Sequence, residues 1–140
     1  MTKADAIIEY FNNYPQLYSW LYLNSVTNSV GNTAMLTDSD NVLREYIDGS
    51  KDKEYIFAIA MVKDFDTGTS DINANALGES ENLIEWVEEN NNNETYPDFG
   101  EKCSIEEIEI INNVPQLAID SENNIARYLI SMKINYTERK

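Results

Sequence analysis

Residues 54–63, EYIFAIAMVK, constrain this chain more than any other stretch. Read as a strand, the run points Tyr55, Phe57, Ile59 and Met61 one way and Ile56, Ala58, Ala60 and Val62 the other. Both sides are apolar, so the strand is expected in the middle of a sheet with cover on both faces. The alternative is a buried helix segment. Aromatic and branched residues, with Gly49 and Gly68 as flanking breakers, favour the strand. One cover is expected from the chain's own helices. The other is expected from a neighbouring copy.

The rest of the chain supplies two helices and several strands. Residues 2–13 read as a helix capped by Thr2, with Asp5 completing a variant capping box and Pro15 preventing continuation. Ile7, Phe11 and Tyr14, with Ile8 alongside, form its apolar stripe. Residues 19–25 and 33–37 read as short strands, separated by a polar turn at 26–32. Asp38 to Asn41 reads as a loop. Residues 42–47 are either extended or one helical turn, and Asp48-Gly49 is a turn.

Residues 65–69 read as loop, and Ser70 or Asp71 caps the main helix, which runs to about Glu89. Its stripe is Ile72, Ala76, Leu83, Ile84 and Val87; Glu79, Glu81, Glu85, Glu88 and Glu89 mark the wet side. Gly78 weakens this helix and is expected to let it approach the sheet closely. The asparagines at 90–93 read as a solvated helix end. Residues 103–111 and 116–120 read as strands. Residues 125–137 alternate most cleanly, with Ala126, Tyr128, Ile130, Met132, Ile134 and Tyr136 on one face. The sum is an α+β domain: an antiparallel-rich sheet with an N-terminal helix and one long helix mainly on one face.

With 140 residues, one domain spanning 1–140 is expected. A formal net charge of −15 disfavours direct nucleic-acid binding, because phosphate contacts need Lys and Arg. The sequence has no His, which removes the commonest general base and metal ligand. Cys103 is the sole cysteine, so neither an internal disulfide nor a Cys–His dyad can form. The N-terminal residues do not read as a signal peptide, and no apolar run is long enough to span a membrane, so assembly in a cytoplasm is expected.

Tested motifs fail on spacing. A calcium loop starting at Asp71 would need Gly where Ala76 stands and Glu where Asn82 stands; starting at Asp64, Gly68 falls one place early. Asp98-Phe99-Gly100 lacks every companion of a kinase signature. The acceptor patterns at Asn93 and Asn135 lack any sign of secretion. Glu106 and Glu107 sit on a predicted strand surface, where solvation is the simpler reading. No catalytic constellation emerges. The expectation is a non-enzyme without cofactor or metal.

Five segments in order carry a resemblance. They are Tyr46-Ile47-Asp48-Gly49-Ser50, the apolar run 55–61, and the acidic helix Asn82-Leu83-Ile84-Glu85-Trp86-Val87-Glu88-Glu89. Ile108-Glu109-Ile110 and Ala126-Arg127-Tyr128-Leu129-Ile130 follow. In this order the chain resembles the small tail-terminator, tail-completion or minor capsid-like proteins of phages and prophages of Gram-positive bacteria. Members carry an aromatic and a Gly after the central strand; here Phe65 and Gly68 are displaced.

The resemblance implies a homo-oligomeric ring, usually of six subunits, that caps the tail tube, ends its polymerisation and joins tail to neck or head. Its expected partners are the tail tube protein and a neck or head-completion protein, with no membrane, and with DNA only passing through the lumen. The expected location is the tail end or neck of a virion, assembled in the host bacterial cytoplasm; a headless bacteriocin particle could use the same part. Tyr46, Asp48, Tyr55, Phe57, Arg127 and Leu129 are the candidate assembly interface. Glu106, Glu107 and Glu109 are a candidate acidic surface, which in a lumen would repel DNA. Two alternatives are an acidic inhibitor that mimics DNA in a basic cleft, and a carboxylate enzyme, which would need a closed pocket with paired, desolvated acids.

Overall fold

The computed structural model describes residues 2–15, 21–24, 33–64, 71–112, 116–120, 122 and 124–140. Its elements in chain order are α1 (Lys3–Asn12), β1 (Leu21–Leu23), β2 (Thr33–Glu45), β3 (Lys51–Asp64), α2 (Asp71–Asn92), β4 (Cys103–Ile110), β5 (Gln116–Asp120) and β6 (Ile125–Glu138). They build an α+β fold. The sheet runs β1-β2-β3-β6-β4, with β5 also paired to β6. Only the β1–β2 pairing is parallel.

The apolar run lies where its two-sided pattern puts it, with β3 between β2 and β6. Phe57, Ile59 and Met61 face the helices, and Ala126, Tyr128, Ile130, Met132, Ile134 and Tyr136 join them from β6. α1 contributes Ile7, Tyr10 and Phe11 to this core, and α2 contributes Ala76, Leu83, Ile84 and Val87. Trp86 sits 4.9 Å from the Tyr10 ring and 5.9 Å from the Phe11 ring, which ties the two helices together. The Thr2–Asp5 capping box starts α1 and Asn13 caps its end. Both helices therefore cover the same sheet face.

The opposite face differs from the expectation of a bare apolar plate. Ala34, Ala60, Val62 and Ile125, all on that side by register, are each no more than 3% exposed within the single chain. Towards the β2–β3 turn the same face is polar. There Lys133 lies 3.8 Å from Glu54 and 3.4 Å from Glu109, and the Asn135 amide reaches both Glu107 and Glu109. A partner is not needed to hide this face. β6 alternates with Leu129 as the exception, and its second face is Arg127, Leu129, Ser131, Lys133 and Asn135, which breaks up the apolar stripe of β3.

Two further expectations are corrected. Asp38 to Asn41 is not a loop but the middle of a 13-residue strand. Pairing with β3 continues through it, with register shifts at Asp38 and Leu43. Tertiary pairing overrides the weak strand preference of Asp, Ser and Asn. A Cβ at Gly78 would meet nothing within 4 Å, so this glycine serves no close approach to the sheet. The strands at 103–111 and 116–120 appear as expected, and 42–47 resolves as strand to Glu45 followed by a turn. Trp20, the turn at 26–32, the loop at 65–69 with the Ser70 cap, and the side chain of Ile72 lie outside the described residues.

Candidate assembly surface

The longest exposed feature is the β2–β3 hairpin. β1 accompanies β2 only from Thr33 to Met35, and Asn24 then occupies the next position. The Asn24 side-chain oxygen accepts from the Thr37 N–H at 2.8 Å, as a strand carbonyl would. Beyond Thr37, no strand among the described residues lies outside β2. The hairpin closes at residues 46–50. The Gly49 N–H donates to the Tyr46 carbonyl at 2.9 Å, and Gly49 has φ +89°, a conformation that favours glycine. The Asp48 carboxylate accepts from both the N–H and the hydroxyl of Ser50, which holds it below the usual carboxylate range. The Tyr46 hydroxyl donates to Asp52 at 2.5 Å; this bond lowers Asp52 and raises Tyr46.

This tip is built from polar scaffolding but presents apolar side chains. Ile47 is fully exposed, and Val42 and Leu43 are more than half exposed. Behind the tip, a charged cluster ties the hairpin to α1 and to the end of β6. Asp40 accepts from the Tyr136 hydroxyl at 2.7 Å and lies 3.2 Å from Lys3 and 3.4 Å from Lys53. Glu138 lies 3.2 Å from Lys53 and 3.5 Å from Lys3. Burial would raise Asp40, but the bonds from Tyr136 and Lys3 outweigh it and leave the carboxyl low. Burial and the bond to Asp40 push Tyr136 well above the usual phenol range. Tyr10, buried beside Trp86, is pushed up to about 12.

The candidate interface residues do not form one patch. Tyr46 and Asp48 are on the tip. Tyr55 is half-buried against Phe57 and Phe99. Phe57 is 1% exposed and packs on Phe11, so it is a core residue and is withdrawn from the interface. Its register on the helix side of β3 decides this. Arg127 and Leu129 are half-buried on the opposite face, across from Val62 and Ala60. Glu106, Glu107 and Glu109 are exposed on β4. Beside them an open hollow of about 650 Å³ is lined by Tyr96, Phe99, Cys103 and Ile105 together with Glu94, Asp98 and Glu106. Burial raises the Cys103 thiol, which disfavours the reactive thiolate. Among the described residues no group of three or more potential metal ligands occurs.

Sequence reasoning missed the residues that finish the sheet edges. Asn91 reaches from α2 to the outer side of β4. Its side chain donates to the Ile108 carbonyl at 2.7 Å and accepts from the Ile108 N–H at 3.0 Å. The Tyr96 hydroxyl donates to the Glu106 carbonyl at 2.8 Å. Asn112 fills the gap between β4 and β5, accepting from the Ser131 N–H and donating to the Leu129 carbonyl. Asn24, Asn91 and Asn112 thus each replace a missing peptide group. The only sequence signal was an abundance of asparagine near the ends of helices and strands.

No protein-family model matches this sequence, and no curated protein matches it.

Proposed function

We propose that this chain is a structural subunit of a ring, six-fold by the resemblance, that closes a phage-type tail tube and offers a surface to the neck or head. One observation carries this reading: the β2–β3 end of the sheet, where β2 runs on beyond β1, exposes Val42, Leu43 and Ile47. Clustered exposed apolar residues mark contact sites. The scaffold beneath them is braced by the Lys3–Asp40 and Lys53–Glu138 pairs. A braced strand end suits a subunit contact, because little order must be created on binding.

Light scattering and electron microscopy of the purified chain, alone and with the tube protein of the same particle, test the proposal. Rings alone or at tube ends are expected, with tubes held to a fixed length. A chain that stays monomeric and leaves tube growth unrestrained overturns it. The inhibitor reading rests on the exposed acids of α2, which has no basic residue in its last turn. It predicts a monomer or dimer that competes with DNA for a basic protein.

A further inference from the structure

We infer that Asp48-Gly49 is a site of spontaneous aspartate isomerisation, and that Ser50 holds the reaction back in the folded chain. This chemistry is independent of the ring. Asp48-Gly49 is the one Asp-Gly pair in the sequence, and there is no Asn-Gly pair. Glycine carries no side chain, so its nitrogen is unhindered. Asp48 is exposed in the β2–β3 turn. The reaction closes a ring. The Gly49 nitrogen attacks Asp48 Cγ and forms a new N–C bond, while a carboxyl OH leaves and takes the N–H proton with it as water. Water then opens the five-membered imide. Attack at Cγ restores Asp48. Attack at the main-chain carbonyl leaves the peptide running through Cγ, one carbon longer. Nothing is oxidised or reduced, and the composition returns to its starting value.

The folded turn opposes the first step at both reacting atoms. The carboxyl must be neutral to lose water. Asp48 Oδ1 accepts from the Ser50 N–H at 2.9 Å and from the Ser50 hydroxyl at 2.6 Å, and both bonds favour the ionised, unreactive form. They also fix the orientation of the carboxylate toward residue 50. The attacking nitrogen is engaged as well. The Gly49 N–H donates to the Tyr46 carbonyl at 2.9 Å, a bond it must give up before it loses its proton. The Tyr46 N–H donates to the Ser50 carbonyl at 2.8 Å and keeps the turn closed. The Lys140 side chain packs over Gly49. Ser50 thus touches the electrophile twice, and its hydroxyl can be removed without removing its N–H. The product, longer by one main-chain carbon between Tyr46 and Ser50, would displace the exposed Ile47 beside it.

Ageing the full chain in mildly acidic buffer tests this. Isoaspartate at residue 48 is read by electron-transfer fragmentation of the peptide that carries it, and by methyl transfer from an isoaspartyl methyltransferase. Folded wild type is expected to accumulate it several-fold more slowly than the same chain unfolded in guanidinium. Ser50→Ala, shown to be folded by circular dichroism, should raise the folded rate several-fold, and Ser50→Thr, which restores the hydroxyl, should bring it back down. Asp48→Glu should remove the product from this turn, because its ring would need a sixth member. Isoaspartate that forms equally fast in folded and unfolded wild type, or at residue 48 in neither, overturns the inference. Folded Ser50→Ala that ages no faster than wild type overturns the role of Ser50.

Discussion

The two edges of the sheet are finished in opposite ways. At β4, Asn91 satisfies both backbone groups of Ile108, and Tyr96 satisfies the carbonyl of Glu106. An approaching strand finds those positions taken. At β2, the side-chain substitute stops at Thr37, and the strand runs on to Glu45 with no strand outside it among the described residues. That edge is protected differently, by register shifts at Asp38 and Leu43 and by the charges of Asp38, Asp40, Arg44 and Glu45. Plugs take the positions that an added strand would need in the middle of β4. Bulges and charges discourage an indiscriminate ladder but leave side chains free, so the β2 side is suited to docking through its tip.

The largest test breaks the closed edge. Asn91→Leu removes two hydrogen bonds and leaves the Ile108 N–H unpaired in a buried residue, for a loss of about 2–3 kcal/mol. Urea unfolding measures the loss. Concentration-dependent association should appear at the same time, as β4 becomes available. If the variant destabilises without associating, Asn91 is only a brace and the contrast between edges weakens.

The next two tests act on the open side. Gly49→Ala forces a side chain onto a left-handed residue and into Lys140, whose Cδ would lie 2.6 Å from the new Cβ. A cost of about 1–2 kcal/mol is expected in thermal unfolding, mostly from the backbone. Asp40→Asn removes a charge from a partly solvated cluster, so about 0.5–1.5 kcal/mol is expected near neutrality. The pH dependence fixes the assignment. Asp40 and Glu138 are lowered in the folded state, so their stabilisation is present above the ordinary carboxylate values near ~4 and is lost as pH falls through the folded ones. Lys3, Lys53 and Tyr136 are raised, so theirs is present below ~10 and is lost as pH climbs further. Protonating other acids relieves the general repulsion and acts the opposite way. The gap in melting temperature between wild type and variant is therefore the quantity to follow, and it should narrow at both extremes.

Much of this fold was legible because burial imposes period. The two-faced run at 54–63 announced a central strand, and the alternation at 125–137, broken only at Leu129, announced a strand with one face in the core. The capping box at Thr2 and the stripe through Leu83, Ile84 and Val87 marked the helices. Illegible were features decided by register and distant pairing. Polar Asp38 to Asn41 form strand only because β3 lies beside them, and Phe57 is core because of the side it faces. Edge plugs were hidden for the same reason: Asn91 and Ile108 are far apart in sequence and meet only in the folded sheet. Of the candidate interface, Tyr46 and Asp48 were placed on the exposed tip, whereas exposed Val42, Leu43 and Ile47 went unnoticed within an ambiguous segment.

The smallest change in stability separates the edges most sharply. Ile47 is fully exposed, so Ile47→Ser should shift monomer unfolding by no more than ~0.5 kcal/mol. If the tip is a contact, that side chain is buried in the assembly, where it is worth ~1.5–3 kcal/mol. Association should then weaken roughly ten-fold or more, as read by sedimentation across a dilution series. The matching substitution on the plugged side, Glu107→Ser, is also at an exposed position and should leave association unchanged. Equal effects from both would mean that general charge and solubility govern association, and the hairpin would lose its claim as the docking element. An effect from Ile47→Ser alone cannot arise from altered folding, because the residue contributes nothing to the monomer, so it would assign the contact to the tip.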